Sequence, residues 1–161
     1  MKIGIMSDTH DNMPNIKKAV KIFNDEKIDL LFHAGDFVSP FTARELKNIH
    51  CPFTGVFGNN DGDRLFLIDQ FQKIGPIYPE PFQTTIEGKK IIMFHKNDVI
   101  AELATSQAYD VIIYGHTHQV DLYTKGKTLV VNPGECGGWL TGKGTVAVLS
   151  LPDFDVRMIN L

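Results

Sequence analysis

Five short apolar runs in this 161-residue chain break off at residues of one chemical kind. Ile3-Gly4-Ile5-Met6 leads into Ser7-Asp8-Thr9-His10-Asp11, Ile28–His33 into Gly35-Asp36, and Phe53–Phe57 into Gly58-Asn59-Asn60-Asp61. Farther on, Lys90–Phe94 stops at His95, and Asp110–Tyr114 at Gly115-His116-Thr117-His118. Apolar runs of this length, bounded by turn residues, read as buried strands. Four of the six histidines fall at these ends, which a chance distribution would not produce. Any one end alone is ambiguous, since Gly-Asp is a common turn and a lone histidine is commonly structural. All five together demand a fold that brings several strand ends to one edge, where loops vary on a rigid sheet.

The order of elements supplies such a fold. Asn12 and Pro14 open a helix in which Ile16, Ala19, Val20 and Phe23 recur at i, i+3, i+4 and i+7, closing near Asn24. Thr42–Asn48 is expected to be a second helix and Arg64–Lys73 a third, so strand and helix alternate as in a right-handed parallel winding. After the proline-rich passage Gly75–Pro81 the pattern changes to hairpins. Phe82–Ile86 and Lys90–Phe94 flank Glu87-Gly88-Lys89, Val120–Tyr123 and Thr128–Val131 flank Lys125-Gly126-Lys127, and Thr145–Leu151 and Phe154–Ile159 flank Pro152-Asp153. Val99–Ser106 reads as one more helix. The expectation is an α/β fold over residues 1–161, one domain with two mixed β-sheets packed as a sandwich and flanked by helices.

Composition narrows the function. A net charge of −3 offers no basic field for nucleic acid or an anionic membrane. The two cysteines, Cys51 and Cys136, have no CxxC partner and read as free thiols of a reducing compartment. Met1-Lys2 enters the first strand without a signal-peptide pattern, so a cytoplasmic location is expected. The eleven phenylalanines leave surface contacts, and hence a homo-oligomer, open.

The strand ends carry two carboxylates (Asp8, Asp36), one amide oxygen (Asn59) and four imidazoles (His10, His95, His116, His118). That set exceeds one tetrahedral zinc and lacks thiolate. Two divalent cations sharing one carboxylate would use all of it. With a bridging hydroxide the centre would keep a charge of about +1, which suits a monoanionic phosphodiester and acidifies the bridging water. Mixed N/O donors favour Mn, Fe, Ni, Co or Zn over Mg or Ca without choosing among them, and Mn is the metal expected. Asp8 and His10 would point the same way if extended geometry continued through Thr9, and His116 and His118 likewise.

Asp8-Thr9-His10, Gly35-Asp36, Gly58-Asn59-Asn60-Asp61, His95 and Gly115-His116-Thr117-His118 resemble, in order and spacing, the calcineurin-like metallophosphoesterase signature. The resemblance covers essentially the whole chain. The short length, the Met-Ser-Asp-Thr-His opening and Asn132-Pro133-Gly134 are similar to the small bacterial and archaeal phosphodiesterase branch, which also contains a metal-poor scaffold relative in the eukaryotic retromer. The resemblance implies a four-layer β-sandwich flanked by helices. It assigns Asp8, His10 and His118 to one metal, Asn59, His95 and His116 to the other, and Asp36 to both. It also implies a metal-dependent phosphodiesterase attacking phosphorus through a metal-bridging hydroxide. Asp36, Asn59 and His116 are then the catalytic residues, with His116 helping protons move.

Two positions depart from that pattern. Many relatives carry a histidine after the motif asparagine, where this chain has Asn60, and a neutral amide is a poor general acid. The small branch often continues as His-Gly-His where this chain has His95-Lys96-Asn97, and Lys96 could supply a phosphate-facing charge. Arg64 and Asn12 are further candidates for the substrate phosphate, and Asp61 for orienting a ligand imidazole. Phe37, Phe41, Phe57 and Phe66 could form an apolar rim, though core packing accounts for most of them. His33, His50 and Cys51 read as structural, and Asn132-Pro133-Gly134-Glu135 as a turn shaping the mouth. The expected partner is a small phosphodiester, with no nucleic acid and no membrane. Two rival readings remain: a non-catalytic scaffold of the same fold, which would have lost ligands, and a nuclease, which the acidic balance disfavours.

Overall fold

A computed structural model describes residues 1–161. Its strands are β1 (Lys2–Met6), β2 (Leu30–His33), β3 (Phe53–Val56), β4 (Ile77–Tyr78), β5 (Phe82–Ile86) and β6 (Lys89–Met93). They continue as β7 (Val111–Ile113), β8 (Val120–Lys125), β9 (Thr128–Pro133), β10 (Thr145–Ser150) and β11 (Asp155–Asn160). The helices are α1 (Met13–Glu26), α2 (Ala43–Leu46), α3 (Arg64–Phe71) and α4 (Ile100–Ser106). A 3-10 turn at Pro40–Thr42 runs into α2, so the helix expected over Thr42–Asn48 is shorter and opens earlier. The strand β4 lies inside the passage read as a connection, and pairs parallel to β3 through only two residues, too few for a period to be seen.

The first sheet runs β11-β10-β1-β2-β3-β4 and the second β5-β6-β7-β9-β8. Within the first, β1, β2, β3 and β4 are parallel and β10 and β11 antiparallel. In the second, β6, β7 and β9 are parallel, with β5 and β8 antiparallel at the edges. The sheets face each other through Ile3, Ile5, Phe32 and Val56 on one side and Ile91, Met93, Ile113 and Val131 on the other. The outer face of the first sheet is covered by helices, with Ile16, Val20, Phe23, Leu46, Leu67 and Phe71 packed on Leu31, Phe53 and Val148. On the second, α4 brings Ile100 and Ala104 against Ile112 and Val130. The layers are therefore helix, sheet, sheet, helix, as expected. A strand buried on both faces needs continuous apolar sequence, and β7 (Val111–Ile113) and the centre of β9 (Leu129, Val130 and Val131) read that way.

The helix α1 shows how sequence sets an element. Asn12 accepts from Asn15 N–H, Pro occupies the first turn, and Lys27 closes the helix in a left-handed cap. Ile16, Ala19, Val20 and Phe23 are its buried stripe. No helix is long and apolar enough to cross a membrane.

Candidate metal centre

The loops that follow β1, β2, β3, β6 and β7 converge at the carboxyl edges of both sheets. Each of the first three strands is parallel to its neighbour, and so are β6 and β7, so their ends share a direction. The first two loops are laced together: Asp8 N–H donates to Gly35 O (3.0 Å), His10 N–H to Asp36 O (3.2 Å) and Asp11 N–H to Phe37 O (3.3 Å).

Strand alternation is not what aligns the ligand side chains. The strand β1 ends at Met6, and Asp8 and His10 adopt left-handed φ of 50° and 40°. Asp36, His116 and His118 do the same at 59°, 68° and 61°. The same-face expectation is thus corrected: tight left-handed turns bring these pairs together. Non-glycine residues in this region are strained, and such strain gathers at sites that surrounding structure holds fixed. Gly35 has a φ of 93°, and a Cβ there would press into the His95 ring. Gly115 likewise leaves room for Ser7 and Asp8, whose side chains a Cβ would strike.

Two clusters result, Asp8 with His10 and His118, and Asp8 with Asp36 and His95. Asp36 Oδ2 lies 3.4 Å from His10 Nε2 and 3.4 Å from His95 Nε2, between the clusters. Asp8 Oδ1 is 3.8 Å from His10 Nε2 and 3.5 Å from His118 Nε2. Its other oxygen accepts from Ser7 Oγ–H (2.6 Å) and His116 N–H (3.0 Å). Asn59 Oδ1 stands 2.9 Å from His95 Nε2, and the His116 ring packs edge-on against His95 at 5.1 Å. All seven ligand-type residues named from sequence are gathered here.

The hydrogen bonds around the rings show what the cluster suits. His95 Nδ1–H donates to Ala34 O (2.9 Å), and His118 Nδ1–H to Glu135 Oε2 (2.9 Å). Both tautomers leave the Nε2 lone pair facing carboxylate oxygens. Acceptors then face acceptors, and Asp8 Oδ1 and His10 Nε2 are buried without any hydrogen-bond partner. A buried unsatisfied charge costs several kcal/mol on the scale of about 3–5. Divalent cations relieve that arrangement, so the donor set fits them, although nothing in it selects the element.

Protons respond to the same field. Burial works against ionisation of Asp36, but His95 and Asn60 hold its carboxyl well below the usual carboxylate range. The neighbouring Asp8 carboxylate raises the His10 imidazole, and Asp36 adds to it. At His95, burial is outweighed by Asp36 and the imidazole is raised as well. His33 differs, because full burial lowers it to about 3. It accepts from Gly35 N–H at Nδ1 (3.2 Å), lies 3.2 Å from Thr9 Oγ1 and stacks on Phe37 at 3.7 Å, so it is structural as expected.

Several expected contacts have other partners. Asp61 orients no imidazole: it accepts from Asp36 N–H (3.2 Å), Val38 N–H (2.8 Å) and Gly58 N–H (2.7 Å), bracing the turn that carries Asp36. Asn12 caps α1 and donates to Gly137 O (2.6 Å), which occupies both ends of its amide. Arg64 donates to Asp61 O and Gly58 O (both 3.2 Å) and covers the Phe57 ring, so it is a loop brace. Lys96 is exposed, and only its backbone is held, by Glu80 (3.0 Å). Asn60 donates from backbone and side chain to Asp36 (2.9 and 2.8 Å). Phe37 and Phe57 are core and Phe41 and Phe66 exposed.

Glu135, expected from the sequence only as part of the turn shaping the mouth, has a larger role. It is fully buried, and besides His118 it accepts from the N–H groups of Trp139, Leu140 and Thr141. Burial opposes its ionisation, but His118 and the Thr141 N–H bring its carboxyl below the ordinary value. The available signal was an acid just past a strand end, the same pattern as the other motifs.

A four-layer sandwich with a double carboxylate and imidazole cluster at its edge defines a metal-binding hydrolase class. Residues 1–153 match the calcineurin-like phosphoesterase superfamily domain, and the chain belongs to that family. It is 42% identical to a phosphodiesterase of Methanocaldococcus jannaschii over 165 residues, covering 100% of this chain and 99% of the relative. A solved structure described as a novel archaeal phosphodiesterase superposes with a TM-score of 0.94 at 42% identity, covering 100% of both chains. The Vps29 protein of Entamoeba histolytica shares the fold alone, at 18% identity and a TM-score of 0.73 over 100% of this chain and 98% of that one.

Proposed function

We propose that this protein hydrolyses small phosphodiesters at a dinuclear centre. Asp8, His10 and His118 would hold one divalent cation, Asn59, His95 and His116 the other, and Asp36 would serve both. The observation that carries the reading is Asp36 Oδ2 at equal distance from an imidazole of each cluster. The similarity to a phosphodiesterase over the full chain supports the substrate class. When bound, divalent cations, Mn by preference, would supply Lewis acidity and an acidified water as nucleophile, so no covalent intermediate with the protein would be required.

The chain's own residues orient and insulate this centre. Asp61 and Asn60 fix the shared carboxylate, while Glu135 and Ala34 O set the imidazole tautomers. The Asn60 amide is not a general acid, so substrates with good leaving groups are favoured. Lys96, free of side-chain partners, supplies positive charge for the phosphate, and His116 assists proton movement. A scaffold would be expected to shed ligands, whereas this chain keeps all seven. The free thiols of Cys51 and Cys136 accord with a cytoplasmic location.

The test is metal analysis alongside turnover of bis(p-nitrophenyl) phosphate, with Mn²⁺ and after chelation. Two metals per chain and Mn-dependent hydrolysis are expected. Turnover that persists in the chelated protein would sink the reading.

A further inference from the structure

A cleft of about 390 Å³ opens beside the Asp8, His10 and His118 cluster, lined by His10, His118, Asn60, Val38, Trp139 and Leu140. Two lining residues belong to the cluster and three are apolar. Trp139 is 63% exposed and Leu140 75%. Large apolar side chains grouped at the mouth of a polar centre mark a surface that something covers.

The indole is held in place by the ligand loops. Trp139 Nε1–H donates to His10 O (3.0 Å) and its backbone N–H to Glu135 (3.0 Å). Gly137 N–H donates to Asp8 O (2.9 Å), and Gly137 O accepts from the side chains of Asn12 and Asn15. The ring is therefore positioned before a ligand arrives, which reduces the entropy lost on stacking. No Lys, Arg, Asp or Glu lines the cleft, so its occupant is uncharged apart from a group at the histidines.

We propose that this cleft receives an aromatic ester group of the substrate, a neutral aryl ring or nucleobase. The ring stacks on Trp139 against Leu140 and Val38 while the phosphate lies at the histidines. The inference rests on the phosphodiesterase reading and narrows it to diesters bearing an aromatic substituent. A purely aliphatic ester group would leave the indole face uncovered.

The experiment compares two inhibitors of the Mn²⁺-loaded protein, 4-nitrophenylphosphonate and methylphosphonate, which share the phosphonate and differ in the ring. Wild type should bind the aryl compound about 10-fold more tightly, the order expected of one stacked ring. In Trp139→Ala the two constants should converge, and Trp139→Phe should keep most of the preference. Trp139 is the sole tryptophan, so fluorescence excited selectively over the four tyrosines reports on this cleft alone. The aryl phosphonate should quench it saturably, at its inhibition constant, and methylphosphonate should not.

No aryl preference in wild type, or one that survives in Trp139→Ala, overturns the proposal. If Trp139→Ala does not fold, wild-type quenching decides, and its absence overturns it. Lack of Mn-dependent hydrolysis would be the separate failure of the phosphodiesterase reading, and direct fluorescence titration would still judge the cleft.

Discussion

His118 and His95 are set to the same task by different means, and the two halves of the centre divide along that line. On the first side a buried carboxylate, Glu135, holds His118 and also receives three backbone N–H groups from the Trp139 loop. On the second side a main-chain carbonyl, Ala34 O, holds His95, and Asn59 faces the same ring. A charged orienting group makes an imidazole a stronger donor to metal, and it can be removed by one substitution. A carbonyl fixed between strand and loop does neither. The first half is thus tunable and tied to the cleft, while the second is built into the sheet.

The largest effect should come from Asp36, whose carboxylate stands 3.4 Å from an imidazole on each side. Asp36→Ala removes the oxygen between the clusters and is expected to lower kcat by roughly 10³-fold, several kcal/mol of transition-state stabilisation. Metal analysis should show fewer than two ions per chain. Two ions retained with undiminished turnover would mean the halves do not meet at Asp36.

Glu135→Gln separates the halves. Metal affinity should fall about 10–100-fold at the Asp8, His10 and His118 cluster, with the other cluster unchanged, as followed by metal titration. Equal weakening of both would break the comparison. Trp139 fluorescence should shift in the same variant, because the loop loses part of its anchor.

His33 sharpens it through pH. This ring supports Thr9, between two ligands of the first half, and burial lowers its pKa to about 3 from the 6.5 expected when unfolded. Between those values the unfolded chain binds the extra proton, so stability falls as pH drops from about 6.5 towards 3, by up to about 1.4 kcal/mol per pH unit. Denaturant unfolding of metal-free protein should show a flatter acid limb for His33→Gln than for wild type.

The smallest effect belongs to the second half's exposed loop. Lys96→Ala should raise KM by no more than about 5-fold and leave kcat in place, the scale of an exposed ion pair. No change in either constant would remove Lys96 from the site.

Much of the site was legible because its residues follow strands whose burial demands apolar runs. The metal-type side chains at the strand ends, the strand and helix alternation and the two mixed sheets could all be read from that pattern. The short strand β4 could not, since two residues carry no period. Asp61, Asn12 and Arg64 were legible as polar residues near the motifs, but their partners are backbone groups of loops distant in sequence. Glu135 and Trp139 escaped because their roles lie in contacts spanning 17 residues to His118 and 129 to His10.

The sequence by itself determined which atoms are available for metal and on which strand ends they lie, because period and residue chemistry are local properties. Only the tertiary structure decided how those atoms meet. Left-handed turns at Asp8, His10, Asp36, His116 and His118, stabilised by hydrogen bonds between separate loops, aim the side chains in ways strand alternation does not. Such conformations are unfavourable in isolation and persist only where the packed fold holds them.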